Sequence, residues 1–419
     1  MVLQKRFIVH ILKVDGGKIL EKVYINKRKF IFGFTIMFFI LSERCQIWFK
    51  WLDDLHIKHF LLIILCVYSV FIITKEKKNE KLEFTKETKS ILLCTIILYV
   101  ISIFFQIANE SFKLYSLGEV YYCLAPIIFV FCLFNVTKKN KNVEIYMDII
   151  LYTGLFSFLV TRIFQGTLSV ANIIKLFDVK ALFIDSISAI NESDLSVFFM
   201  VLTIYYAYKN KKGKMILSAV GTFLGYKRMA VLYLIIFLII NKFVFYKNGT
   251  KKEVKKGIYY VTVILFILAP YLVYYMCEDS FASWFYHKFG IDFNQFTMTR
   301  FDIINTVIDA KIKNFGLGTV THFLEVRGVP GQTNMHNDIL KIYMECGIIG
   351  TITFTTTYFN LARKNYYSYL IMLFIFIELF VAHFLGVGSV SVWILIYIAI
   401  FDINRDCKCR KNIISNQKE

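Results

Sequence analysis

The sequence predicts an all-α polytopic membrane protein of about twelve transmembrane helices, with one large extracytoplasmic loop between the ninth and tenth. Three observations carry that prediction. Of 419 residues 57% are hydrophobic, including 43 Phe and 26 Tyr against only 3 Pro. Apolar runs of membrane-spanning length recur along the chain. The formal charge of +19 is spread over the short connections between those runs. Clustered on a soluble domain, such a charge would point to nucleic acid; distributed over alternate loops it is a topology signal.

Residues 1–29 carry Lys5, Arg6, Lys13, Lys18, Lys22, Lys27, Arg28 and Lys29 and no apolar core of signal-peptide length, so a basic cytoplasmic N-terminus is expected. Spans are expected near 30–48, 59–74, 90–107, 117–136, 145–164, 194–208, 214–225, 229–246 and 257–276, then near 338–359, 366–384 and 388–402. The seventh is too short to cross alone without irregularity. Alternate connections are basic: Lys75 to Lys89, Lys138 to Lys141, Lys209 to Lys214, Lys247 to Lys256, and Arg363-Lys364. They mark the cytoplasmic side, together with a basic tail at 404–419 holding Arg405, Lys408, Arg410 and Lys411. An even number of spans puts both termini there and leaves the loop 277–337 facing outward. The nine Cys lie mostly within spans, as small apolar residues, and their spacing shows neither a disulfide framework nor a four-ligand metal site.

The stretch from Thr299 to Gly350 is the long inter-span segment that combines an Arg, a Gly-rich turn and a His-Asn pair. Thr299 and Asp302 have capping-box spacing, and Phe301, Ile304, Val307, Ile308 and Ile312 recur at helical spacing. An amphipathic helix along the membrane surface is therefore expected, with Arg300 on its first turn and its end at Asn314. Gly316 and Gly318 then permit the tight turn towards His336-Asn337.

Lys227-Arg228 falls between the seventh and eighth spans, on the outer side, where the positive-inside rule disfavours it. Such residues either snorkel to anionic headgroups or form a site. With Arg300 and His336 on the same face, the pair would make a basic cluster suited to an anionic group such as a pyrophosphate. His287 and His322 read as surface or packing residues. Glu192 and Asp194 read as acidic partners of the cluster, as alternative bases, or as caps of the sixth span. Glu345, Glu378 and His383 lie in apolar spans and need partners, Lys341 being at helical spacing from Glu345.

An Arg at the outer end of the eighth span, an Arg opening a loop helix before a Gly-Leu-Gly turn, and the run His336-Asn337-Asp338-Ile339-Leu340 leading to Cys346-Gly347-Ile348-Ile349-Gly350 resemble the O-antigen polymerase and ligase family of bacterial integral membrane glycosyltransferases. The resemblance is most specific from Thr299 to Gly350 and weaker from Asn191 to Ile235. It implies that His336 is the catalytic residue, that Arg228 and Arg300 bind pyrophosphate, and that Lys227, Asn337, Asn191 and Glu192 support them. Gly347 and Gly350 match small residues of the following span. Where the family often has Ser before the membrane-edge Arg, this chain has Lys227.

The resemblance further implies a glycan donor on undecaprenyl diphosphate and a metal-independent transfer without a cofactor; no Asp-x-Asp pair occurs. It places the protein in the plasma (inner) membrane, working with a flippase and a chain-length regulator and with no nucleic acid. Guanidinium forks suit the departing diphosphate, and an imidazole can take the acceptor proton. A ligase is the alternative within the family. Outside it stand a polysaccharide flippase, which would not need the His-Asn element, and a secondary transporter, whose repeated halves are not visible here.

Overall fold

The computed structural model describes residues 6–9, 23–44, 57–76, 85–109, 115–136, 143–167, 169–170, 174, 193–245, 253–297, 299–312, 316–327, 334–383, 385 and 390–416. A helix lies over each expected span: α1 Lys27–Arg44, α2 Ile57–Glu76, α3 Lys86–Ala108, α4 Tyr115–Val136, α5 Glu144–Phe164, α6 Ser193–Tyr208, α7 Lys212–Gly225, α8 Arg228–Ile240 and α9 Lys256–Met276. The loop holds α10 Asp279–Phe289, α11 Phe293–Phe296, α12 Arg300–Asp309 and α13 Thr319–Arg327, and α14 Asp338–Ala362, α15 Tyr366–Val381 and α16 Val390–Asn416 follow. Among the described residues four stretches, Lys86–Ala108, Leu117–Asn135, Glu144–Phe164 and Lys256–Met276, are long and apolar enough to cross a membrane, and shorter apolar helices accompany them. The chain is a helical multi-pass membrane protein. The basic N-terminus departs from the all-α expectation. Its strands β1 Arg6–Val9 and β2 Val23–Asn26 pair antiparallel, with Phe7 opposite Ile25, Ile8 opposite Tyr24 and Val9 opposite Val23, β-branched and aromatic residues of the kind strands favour.

Two compact units divide the chain, Met1–Glu83 with Ile128–Thr161 and Phe84–Ile127 with Arg162–Glu419. In the first, Phe32 meets Phe129 edge-on at 5.6 Å, and Cys132 Sγ lies 3.9 Å from the Cys66 carbonyl. The second carries every described candidate residue.

Its innermost helix is α6, whose residues from Leu195 to Tyr206 have no exposed surface. Against it lies α7, held by close approach. A Cβ on Gly225 would stand 2.8 Å from the Ser196 backbone nitrogen, and one on Gly221 would stand 2.6 Å from the Phe199 ring. Small residues four apart let the two helices touch along their backbones, and Ser196 Oγ donates to the Thr222 carbonyl at 2.7 Å. The 14-residue α7 then ends at Tyr226, whose left-handed backbone (φ 50°) reverses the chain into α8.

Within the loop, α12 is packed on protein rather than on lipid. Ile303, Ile304, Val307 and Ile312 are buried with Val273, Val320, Leu324, Leu340 and Met344, so the apolar face expected along the membrane surface is turned into this core. That helix also ends at Asp309, five residues before the expected Asn314. Lys311 turns left-handed (φ 56°) soon after the helix stops. The Gly316-Leu317-Gly318 turn is pinned on both sides. Gly316 N donates to the Glu345 carbonyl at 3.0 Å, and Leu317 N donates to Ser102 Oγ at 2.8 Å. At φ 96°, with Gln106 and Ser102 atoms within 2.9 Å of the point a Cβ would occupy, residue 316 has neither the conformation nor the space for a side chain.

Candidate functional site

Three helices begin where the candidate cations stand. Arg228 is the first residue of α8, Arg300 is the first residue of α12, and His336 lies two residues before α14. The free N–H groups and the dipole of a helix start favour an anion, so these elements aim partial positive charge at the same region as the side chains. Each start is also marked by a left-handed non-glycine residue: Tyr226 (φ 50°), Thr299 (φ 60°) and His336 (φ 54°). Such conformations cost about 1–3 kcal/mol each and persist where surrounding packing imposes them. For Thr299 this overturns the expected capping box. The left-handed backbone leaves its side chain with no capping hydrogen bond, and Asp302 instead accepts from Asn294 Nδ2.

The cations are braced by one acid that the sequence left without a partner. Lys227 Nζ lies 2.7 Å from Glu378 Oε2, and the Glu378 side chain is wholly buried within α15. Arg300 donates from Nη1 to the carbonyl of Val381, three residues further along, at the end of the same helix. The guanidinium charges of Arg228 and Arg300 act on each other, and Glu378 offsets the field at Arg300. At His336, burial is the largest influence and the neighbouring Arg300 the next; His383 and Lys227 add to it and Asp338 opposes it. Together they push the imidazole down to about 4. Arg300, Lys227, His383 and Asp338 therefore lie within electrostatic reach of His336.

Asp338 is buried at the first turn of α14, where it accepts from the Leu385 backbone N–H at 2.8 Å and from His383 Nδ1 at 2.7 Å. Asn337, expected to support the site, shapes the start of α14. It is the N-cap of α14, and its Oδ1 accepts from Leu340 N at 2.9 Å. Glu345 does not take Lys341 as its nearest partner: Lys341 Nζ reaches Glu119 Oε1 at 2.7 Å, while Glu345 Oε1 accepts from Val320 N at 2.9 Å. Helical spacing had suggested the nearer acid, but α4 offers a carboxylate to the lysine and the loop offers an amide to the glutamate. Gly347 (φ 66°) opens a kink inside α14, and Cys346 Sγ lies 3.9 Å from the Leu98 carbonyl of α3. His287 is exposed and His322 half-buried. Asn191 and Glu192 lie outside the described residues.

Glu119 escaped the sequence reading, although an acid in the apolar run of α4 was a visible signal. His383 and Glu378 were flagged, but their partners, Asp338 and Lys227, are distant in sequence.

The segment 214–355, which holds Lys227, Arg228, Arg300 and His336, matches the family model described as O-antigen ligase. Residues 214–355 thus carry an O-antigen ligase domain, which supports the O-antigen ligase and polymerase family. Members of this family are glycosyltransferase-like membrane enzymes. The match spans α7 to the middle of α14, so Glu378 and His383, which pair with Lys227 and Asp338, come from outside it. No curated protein and no solved structure matches the chain.

Proposed function

We propose that the protein polymerises a bacterial surface polysaccharide such as O-antigen, capsule or exopolysaccharide. It would transfer a glycan from an undecaprenyl-diphosphate carrier to the non-reducing end of a second lipid-linked repeat unit. A hydroxyl of the acceptor attacks the anomeric carbon of the donor, the sugar–phosphate bond breaks, and undecaprenyl diphosphate departs with the bonding electron pair. His336 takes the acceptor proton, while Arg228 and Arg300 hold the phosphate oxygens and neutralise the charge that develops there. The observation that supports this reading is that Arg300, at the start of α12, lies within electrostatic reach both of Arg228 at the start of α8 and of His336 just before α14.

Lys227 has an indirect role in this scheme. Its charge is balanced by Glu378, so it orients the turn before Arg228 rather than binding phosphate itself. The loop 277–337 would face outward, with both termini cytoplasmic in the plasma membrane. Single cysteines near Gln295 and Gln417 in a background without reactive thiols should then label differently with an impermeant reagent, and equal labelling of intact cells would contradict this topology.

The ligase reading draws on the description of the matched family model. The glycan ladder of a deletion strain complemented with this chain decides between the two. Complementation that restores bands above one repeat unit supports polymerase. If the deletion strain keeps a full ladder that stays on the carrier, and the chain moves it to another acceptor, the protein is a ligase. Restored export without either change would favour a flippase.

A further inference from the structure

The helix α10 presents aromatic rings to the outside. None of its residues is buried, and Trp284, Tyr286 and Phe289 are 54%, 56% and 55% exposed. In water such a surface would be a liability. Here it continues a surface that already faces lipid. Val261, Leu265, Leu268, Leu272 and Tyr275 make an exposed stripe at helical spacing along α9, one of the helices long and apolar enough to cross the bilayer. Only Cys277 and Glu278 separate α9 from α10, and the Tyr275 ring meets Phe281 edge-on at 5.6 Å.

The opposite arc of α10 holds Asp279, Ser280, Ser283 and His287, so the helix is amphipathic, with Lys288 between Trp284 and Phe281 on the aromatic side. Rings, one lysine and a polar back are the composition of a helix lying in the headgroup region, where indole and phenol rings are favoured.

We propose that α10 lies in the outer headgroup–acyl boundary and sets the depth of the arginine helix relative to the bilayer. A chain of rings makes the connection. Trp284 packs on Phe281 (5.4 Å), Phe281 on Phe293 (5.0 Å), and Phe293 on Phe301 (4.7 Å), which is the neighbour of Arg300 on α12. The occupant of the aromatic face is phospholipid. The depth it fixes is the level at which a lipid-linked pyrophosphate presents its charge, a consequence that rests on the transferase reading, whereas the placement of α10 does not.

The test uses the full chain in vesicles of phosphatidylethanolamine and phosphatidylglycerol, without substrate. Lipids brominated near the headgroup or near the acyl terminus, and aqueous iodide, serve as quenchers. The Trp284 signal is the difference between wild type and Trp284→Phe, a variant that keeps a ring at the position. Several-fold stronger quenching by the shallow bromines than by the deep ones, with protection from iodide, is expected. Free quenching by iodide without a bromolipid effect would overturn the placement. So would strongest quenching by the deep bromines, or protection from every quencher, which would mean that protein covers the ring. A failed transferase assay leaves this result untouched.

Discussion

The ammonium of Lys227 and the carboxylate of Glu378, 151 residues apart in sequence (378 − 227), are paired at 2.7 Å with the acid wholly buried. Removing one partner of such a pair leaves the other charge without its counterion, at a cost of about 3–5 kcal/mol. Glu378→Leu and Lys227→Met should each lower the melting temperature in detergent strongly. The double variant should melt well above the sum of the two losses. Additive losses would show that the pair is not coupled.

Arg228 and Arg300 should not tolerate lysine. An ammonium keeps the charge but not the planar fork, and one charge-assisted hydrogen bond is worth about 1.5–3 kcal/mol. Turnover of each Arg→Lys variant should fall more than tenfold at unchanged protein level. Normal rates for both would remove the bidentate role.

The pH dependence has a definite sign. Burial and Arg300 hold the His336 imidazole down to about 4, below its ordinary 6.5, so at neutral pH the ring is free to accept a proton. As pH rises the active free base increases, and kcat/KM should climb through an apparent pKa near 4 rather than at 6–7. Binding of the diphosphate would offset Arg300, so the kcat limb should lie at higher pH than the kcat/KM limb. Coincident limbs near 6.5 would place His336 in an open, neutral environment. Because the folded pKa is the lower one, this group's contribution to stability is present above 6.5 and is lost as pH falls from there towards 4.

Gly225→Ala should disable the site from a distance. The added methyl would stand 2.8 Å from the Ser196 backbone. The strain, about 1–3 kcal/mol by analogy with overpacking, must shift α7 and with it the turn that delivers Lys227 and Arg228. Transfer should drop with insertion preserved. Wild-type activity would show that the α6–α7 contact does not set the position of Arg228.

The helices were legible because apolar runs and basic loops are local properties, and the structure places a helix on every expected run. Arg228, Arg300 and His336 stood out because they fall at connections expected on the outer side, where basic residues are disfavoured. Their surroundings were not legible. Glu378 and Lys227, Asp338 and His383, and Glu119 and Lys341 meet through tertiary packing, which no spacing rule encodes. Thr299 and Asp302 had the right spacing for a capping box, but a left-handed backbone at Thr299 overrides it. The apolar face of α12 has the period of a membrane-surface helix and of a packed one alike, and only the buried core around Val307 separates them.

The central claim is that His336 moves a proton while the arginines hold the diphosphate. Reconstituted protein with a lipid-diphosphate-linked repeat unit tests it through release of undecaprenyl diphosphate by wild type, His336→Ala and His336→Arg. The account predicts that both variants insert and bind donor but release at least a hundredfold less carrier, about 2.7 kcal/mol in barrier, because neither side chain can accept a proton near neutral pH. Near wild-type release by His336→Arg would contradict it and make His336 a third anion ligand.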